Sequence, residues 1–445
     1  MSALTAEAEA TAAPLPGGIR VAAATDLEEM GRRAVEASRA LCLATGRARD
    51  AALAEIADEL ERSAAEIEEA NAADVEKARA AGLPPALLER LRLSAERIAG
   101  MVEGVRRLVR LPDPVGQRED EQVLPSGLRI ARQRVPFGVV GMIYEARPEV
   151  TVEAATICLK SGNAALLRGG TECRGTNETL TRIVRGALAG CGLPEDAVQS
   201  ILDPDRALVR QMVKLDRYID VLIPRGGAAL NAFCRQHATM PAITGGGGVC
   251  HLYVDRSADQ DAAVPIVIGD KVKQPTACNT LETLLVDRPI AGEFLPKMAA
   301  ALHAEGVELR VDEDALATLS AAGVEGDWIV PARPSDFGTE FMAKILSVRV
   351  VDGVRDAVEH IRRHGTGHTE GVLAEDPAVR DLFLRAVDAA AVVTNASLRF
   401  HDAWQLQLGA EIAISTQKLH VRGPVPPAGL TTHRWVVEGE GHVRA

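Results

Sequence analysis

Short apolar runs, several of them closing on glycine, alternate with amphipathic helical stretches between about Val139 and Asp255. Nothing else in the chain restricts its fold as much. GVVGMIYEA reads as a buried strand and EVTVEAATICLKSG as a helix, and NAALLRGG with NETLTRIVRGALAGCG repeats the pair. VQSIL and YIDVLIPRGG supply further strands, with the helical RALVRQMVKLD between them. Strands joined through helices must pair in parallel, so this rhythm predicts a mostly parallel, doubly wound sheet. A second alternating series, from about Gln260 to Asn395, predicts a second α/β domain. A chain of 445 residues has room for both. Hydrophobic residues make up 47% of it and aromatics only 3%, so the cores are built from Ala, Val, Leu and Ile, as helix-covered sheets often are.

The flanks read differently. From about Asp26 to Arg110, Ala, Leu and Ile recur at three- and four-residue spacing with charges between them, and Gly82 and Pro84 break the pattern. EQVLPSGLRIARQRVPFG is two alternating runs about a Pro-Ser-Gly turn, a β-hairpin. Because it interrupts an α/β pattern, it is read as an arm that pairs with another subunit of a homo-oligomer. The tail from Gly409 to Trp435 is rich in Val, Thr and Ile and is expected to pair with that hairpin. Residues 1–18, MSALTAEAEATAAPLPGG, have neither a basic start nor a long apolar run and read as a disordered leader.

Charge and cysteine usage narrow the function. A formal charge of −12 argues against general nucleic-acid binding. No uncharged apolar segment reaches the roughly 20 residues of a membrane span. The seven cysteines are widely spaced and form no CxxC pair, which predicts reduced thiols in a cytoplasmic protein. Cys158, Cys234 and Cys250 sit in apolar runs, where cysteine acts as a small hydrophobe. Cys278, in PTACNT, stands at a turn before a strand, among small polar residues and just after Lys271 and Lys273. A partly exposed thiol in an electropositive place becomes a nucleophile; spacing alone leaves that reading open beside an ordinary turn cysteine.

Neither a GxGxxG nor a GxxxxGK[ST] loop occurs, but glycine clusters fall where strands should end, at LLRGG (166–170), IPRGG (223–227) and ITGGGG (243–248). Glycines there let backbone N–H groups approach an anion, and Arg168 and Arg225 suit the phosphates of a dinucleotide. The alternative, an ordinary strand-end turn, stands equally open. His360, His364 and His368 recur at four-residue steps, but HGTGH should stop the helix near His364, so a solvated helix end or a polar cleft is favoured over a metal trio, and no metal site is expected.

GVVGMIYEARP, CLKSGNAALLRGG, LIPRGGAAL, GGVCHLYVD, CNTLETLLV after a lysine- and proline-containing turn, VDGVRDAVEHIRRHGTGHTEGV and GAEIAISTQKLHVRGP, in this order, together resemble the gamma-glutamyl phosphate reductases, also called glutamate-5-semialdehyde dehydrogenases, of the aldehyde dehydrogenase superfamily. The resemblance runs from about residue 26 to the C-terminus. It implies an aldehyde dehydrogenase-like α/β fold: two doubly wound α/β domains plus a small β oligomerisation element. In this sequence that would be an NADPH-binding domain of residues 19–118 and 137–255, a catalytic domain of 256–395, and an oligomerisation hairpin and tail of 119–136 and 405–445. It also implies NADPH-dependent reduction of L-glutamate 5-phosphate to the 5-semialdehyde, with phosphate release, in proline biosynthesis. Cys278 is then the nucleophile that forms a thioester, and the backbone N–H of Cys278 and the side chain of Asn279 are candidate oxyanion donors. Arg168, Gly169, Gly170, Arg225, Gly226, Gly227 and Glu340 are the cofactor candidates, Glu340 for the nicotinamide ribose. Arg147, Glu149 and His368 are the substrate candidates.

The 241–254 segment contains no Asp or Glu, so the glycine-rich loop lacks the water-activating carboxylate of hydrolytic aldehyde dehydrogenases. Water attack on a thioester should then be slow. Three places depart from the family's usual pattern. Glu149 replaces the asparagine of RPN, Gln274 stands where an arginine is expected, and Ala403-Trp404 replaces two glycines. The first two make the surroundings more negative, which would weaken an anionic substrate if they face it. Two alternatives accompany the main reading: a paralogue that takes a less anionic acyl phosphate, and a non-catalytic partner of a glutamate kinase.

Overall fold

The computed structural model describes residues 25–444. The leader at 1–18 lies outside them. Sixteen strands follow in chain order: β1 Arg118–Val123, β2 Arg129–Pro136, β3 Val139–Tyr144, β4 Ala164–Arg168, β5 Val198–Ser200, β6 Val221–Arg225, β7 Cys250–Val254, β8 Leu281–Asp287, β9 Glu308–Val311, β10 Ile329–Pro331, β11 Ile345–Val351, β12 Thr369–Leu373, β13 Ala391–Thr394, β14 Ile414–Ser415, β15 Gly423–Pro424 and β16 Thr431–Glu438.

The N-terminal pattern folds as helices Leu27–Leu43, Gly46–Arg62, Ala64–Ala80, Pro85–Leu91 and Ala95–Arg110. Asp26, Thr45 and Ser94 cap three of them by accepting a backbone N–H in the first turn. Leu53, Ile56 and Leu60 of one helix and Ile98, Val102 and Val105 of another share a core with β3 and β4, so this layer covers one face of the first sheet.

That sheet has the order β5-β4-β3-β6, all parallel. The chain moves outward from β3 to β5, then returns to lay β6 on the free side of β3. Register sets Ile143 beside Arg168 and Tyr144 beside Arg225, so both arginines end strands that flank β3. This is a topological switch point, where open α/β sheets bind ligands outside the carboxyl ends of their strands.

The second sheet is parallel with the order β10-β9-β11-β8-β7-β12-β13. Strand β7 corrects the division at residue 255: it pairs with β8 and β12, not within the first sheet. CHLYV is buried along its whole length, so its pattern marks a strand without saying whose, and the glycines at 245–248 carry the chain across. Helix Gln260–Val272 leads to the turn bearing Cys278, ahead of β8. Cys278 thus sits at the amino edge of the second sheet.

Strands β1 and β2 form the hairpin, and β16 adds to β2 antiparallel from Thr431↔Pro136 to Glu438↔Arg129. The tail pairs as its composition suggests, but later: most of 409–430 is irregular, with only the two-residue β14 and β15 and a 3-10 turn at Pro427–Leu430. No helix among the described residues is long and apolar enough to cross a membrane.

Candidate active site

Cys278 lies in a turn closed by backbone bonds from Ala277 to Gln274 and from Thr280 to Ala277, and pinned by the Thr280 hydroxyl on the Gln274 carbonyl at 2.7 Å. The 245–248 loop packs its backbone directly on this turn, and a Cβ on Gly248 would stand 1.5 Å from the Cys278 carbonyl oxygen. The Cys250 thiol donates to the same oxygen at 3.3 Å. On the loop's other side the Gly248 N–H donates to Glu340 Oε1 at 3.0 Å. Among the described residues neither the Cys278 nor the Asn279 N–H has a hydrogen-bond acceptor, leaving both free for an oxyanion.

The charges around the thiol differ from the lysine-rich setting expected. Lys271 is fully buried on the inner face of its helix, and its ammonium donates to Glu282 Oε2 at 2.7 Å; Lys273 points into solvent. Adjacency in sequence does not fix where a helical side chain points. Burial instead pushes the Cys278 thiol above its ordinary range, Glu411 and Glu340 push it further, and Arg225 and Arg399 pull it back. Arg399 also donates to Gln274 Oε1 at 2.7 Å, so a guanidinium reaches the place where the sequence pattern lacks one.

Asn279 is 3% exposed, and its amide donates to the His401 carbonyl at 3.1 Å while its Oδ1 finds no partner. His401 Nδ1 meets Thr369 Oγ1 at 2.8 Å, which meets His368 Nδ1 at 2.7 Å. Burial depresses His368 to about 3 and His401 to about 4, so both rings are neutral at pH 7. His368, a substrate candidate, is 1% exposed, and its Nδ1 lies 3.9 Å from the Cys250 thiol that contacts the cysteine turn. His360 is not a solvated helix end. It is buried, bonded to Arg349 at 3.0 Å, and packed against His251 and His364, while His364 ends the helix before Gly365.

The two Arg-Gly-Gly turns share one sheet edge but diverge. Arg168 is 5% exposed and folds back onto the Gly169 carbonyl; Glu172 and Asn177 pack against Gly170 and Gly169. Arg225 is half-buried, and its charge acts on both Cys278 and Glu411. Gly226 and Gly227 are exposed beside Glu145, and helix Ala228–His237 starts at Gly227 without a side-chain cap. The Gly227 N–H donates to Glu145 Oε2 at 3.4 Å, and the remaining uncapped N–H groups of this helix start suit an anion. Arg147 is half-buried, and burial pulls it down.

Sequence reasoning missed Glu411. Its carboxyl is held near 7, raised first by burial and then by Asp402, and lowered by Arg225 and the Ala403 N–H. The absence of acids from 241–254 therefore does not leave the thiol without a carboxylate neighbour, because one arrives from the tail. Glu411 lines a cavity of about 550 Å³ together with Glu149, Ala403 and Trp404, which brings two of the three departures from the family pattern into one wall. GAEIAIS names the glutamate, but only the fold reveals its burial.

Two parallel sheets, the first with a switch point at β3, and a cysteine turn locked to the glycine loop between them define an enzyme of the aldehyde dehydrogenase class. The profile of the aldehyde dehydrogenase family matches residues 13–318. A gamma-glutamyl phosphate reductase of Roseiflexus castenholzii is 56% identical over 95% of this chain and 100% of its own length. One from Cronobacter sakazakii is 48% identical over 94% and 100%. The crystal structure of a gamma-glutamyl phosphate reductase from Thermotoga maritima superposes with a TM-score of 0.91 at 44% identity, covering 95% of this chain and 100% of that one. The chain belongs to the gamma-glutamyl phosphate reductases of the aldehyde dehydrogenase family.

Proposed function

We propose that the chain reduces L-glutamate 5-phosphate to L-glutamate 5-semialdehyde, using NADPH and releasing phosphate, as a step of proline biosynthesis. The observation that carries this reading is the cysteine turn: Cys278 is clamped against Gly248, with two unengaged backbone N–H groups beside it and Arg225 and Arg399 acting on it.

The thiol enters the reaction protonated, because burial holds it up. Glu411, poised near 7, takes its proton as sulfur attacks the acyl carbon. The N–H groups of Cys278 and Asn279 receive the charge that develops on the carbonyl oxygen. The C–O bond to phosphate breaks, the two guanidiniums balance the departing anion, and the acyl group remains as a thioester on Cys278. Members of the family use nicotinamide cofactors, and the residues here fit one: Gly226, Gly227, the uncapped helix start and the orphaned Nε of Arg225 for phosphate, with Glu340 at the glycine loop for a ribose hydroxyl. NADPH, when bound, supplies the hydride that takes the thioester to the aldehyde level. The three-stranded sheet, with Trp435 and Val437 exposed, is the surface this reading gives to a second copy of the chain.

The test runs in reverse. Purified protein with glutamate 5-semialdehyde, phosphate and NADP should generate reduced cofactor, and Cys278→Ala should not. Turnover that ignores phosphate and yields the acid would replace this reading with a hydrolytic one in which Glu411 activates water.

A further inference from the structure

Cys278 and Asn279 are the two central residues of a β-turn closed by the Thr280 N–H on the Ala277 carbonyl at 3.0 Å. The peptide between them joins a held group to a free one: its C=O is that of Cys278 and its N–H is that of Asn279. A trans peptide is planar, so these two groups point in opposite directions, and fixing one aims the other. This central peptide is also the least restrained part of such a turn. The turn's own hydrogen bond does not involve it, and types I and II differ by its inversion, with positive φ at the third residue in type II. Asparagine tolerates that conformation better than most residues. Asn279 nevertheless lacks a positive φ, so the peptide is held in one of its two orientations.

The side chain that holds it is Cys250. Its thiol is fully buried and donates to the Cys278 carbonyl at 3.3 Å, while the Gly248 backbone packs on the same oxygen. Packing keeps the oxygen from moving closer, whereas a directional bond resists rotation of the plane. The β7–β8 ladder slips by one residue between Cys250, opposite Leu281, and His251, opposite Thr283, an irregularity of the kind that re-aims a side chain. Burial raises the Cys250 thiol well above its ordinary range, which keeps its proton in place for donation. Behind the thiol, buried polar groups lead back to the turn. His368 Nδ1 lies 3.9 Å from Cys250 Sγ and 2.7 Å from the Thr369 hydroxyl, which lies 2.8 Å from His401 Nδ1, and the His401 carbonyl accepts from the Asn279 amide. The chain of contacts thus leaves from the Cys278 carbonyl and returns to the Asn279 side chain.

We propose that Cys250 is a positioning residue: its thiol locks the 278–279 peptide against inversion and so keeps the Asn279 N–H aimed at the oxygen that gains charge when Cys278 is acylated. The inference rests on Cys278 as the acylated residue of the proposed reaction. Thr369 has the supporting role, since its hydroxyl ties the imidazole beside Cys250 to that of His401, whose carbonyl holds Asn279. An inverted peptide would turn a carbonyl oxygen, not a donor, toward the developing anion, replacing stabilisation by repulsion.

Two reactions of the full chain separate this role from a general structural one. p-Nitrophenyl acetate acylates a thiol through a tetrahedral oxyanion, whereas iodoacetamide alkylates it by displacement at a saturated carbon, with no oxyanion. Removing an oxyanion donor outright costs about 10²–10³-fold, so loosening its aim in Cys250→Ala should slow acylation of Cys278 about tenfold and change alkylation by less than about twofold. Cys250→Ser loses the same sulfur but keeps a donor, and should recover most of the acylation rate. A parallel loss in both reactions, no loss in either, or serine no better than alanine overturns the positioning role and leaves the proposed reaction standing. If Cys250→Ala does not fold, Thr369→Val against Thr369→Ser decides by the same two rates: a loss confined to acylation and recovered in the serine variant supports the role, and any other result overturns it. A parent protein whose Cys278 peptide carries no acetyl group by mass spectrometry would instead refute Cys278 as the acylated residue, and this inference with it.

Discussion

Gly248 and Cys278 touch through their backbones: a Cβ on the glycine would lie 1.5 Å from the cysteine's carbonyl oxygen and 3.1 Å from its Cα. The nucleophile's position is therefore set by a glycine thirty residues earlier, at the point where the chain crosses between sheets. Gly248→Ala must displace one segment or the other, since neither contact is a flexible side-chain end. Overpacking of this kind costs about 1–3 kcal/mol, and a shift of about 1 Å at a nucleophile costs on the order of 10²-fold in rate. Gly247→Ala is the control, because its Cβ would meet only the movable carboxylate of Glu340 at 2.7 Å. Kinetics and melting curves of the two variants should differ clearly, with Gly248→Ala the worse in both; equal effects would show that the backbone contact does not position Cys278.

Reactivity of Cys278 should move in opposite directions when its neighbours are neutralised. Glu411 raises the thiol's pKa and Arg225 lowers it. Glu411→Gln should therefore speed alkylation of Cys278 by iodoacetamide at pH 7 several-fold, and Arg225→Gln should slow it, both read by mass spectrometry of the Cys278 peptide. If Glu411 also takes the thiol proton, Glu411→Gln lowers kcat while the thiol becomes more reactive. Slower alkylation in that variant would contradict the charge arrangement.

Much of this arrangement is legible in the sequence, and the exceptions have a common cause. The β3 to β6 alternation, the hairpin and its pairing with the tail all follow from local period and turn chemistry, because those patterns depend on neighbours in the chain. Strand β7 pairs outside the sheet that its place in the chain suggests, because a buried strand carries no mark of its partners. Lys271 stands seven residues before Cys278 in the sequence, yet its ammonium is matched to Glu282. Nothing in the local pattern marks Glu411 as an acid-base group, since its raised pKa comes from burial created by distant segments. Position along the chain foretells elements well and electrostatics poorly.

The raised carboxyl of Glu411 makes a prediction about stability. Its folded value is about 7 against an ordinary 4.5, so the unfolded chain gives up this proton first as pH rises. The stabilising contribution is complete below about 4.5 and is lost progressively up to about 7. Glu411→Gln, which cannot ionise, should match the parent's melting temperature near pH 4.5 and exceed it at pH 8. A gap that is constant across that range would mean that Glu411 ionises in the fold as it does in water.

Lys271 and Glu282 offer a separate test of what the lysine does. Both side chains are buried, with the ammonium 2.7 Å from the carboxylate. Removing one member of a buried ion pair strands the other, at a cost of about 3–5 kcal/mol, whereas replacing both with apolar residues of similar volume is often neutral. Lys271→Met should thus lower the denaturation midpoint sharply, and Lys271→Met/Glu282→Leu should recover most of the loss. If the pair is structural, the double variant alkylates Cys278 at the parental rate. A double variant that folds well but alkylates Cys278 several-fold more slowly would return the lysine to the role that its place in the sequence suggested.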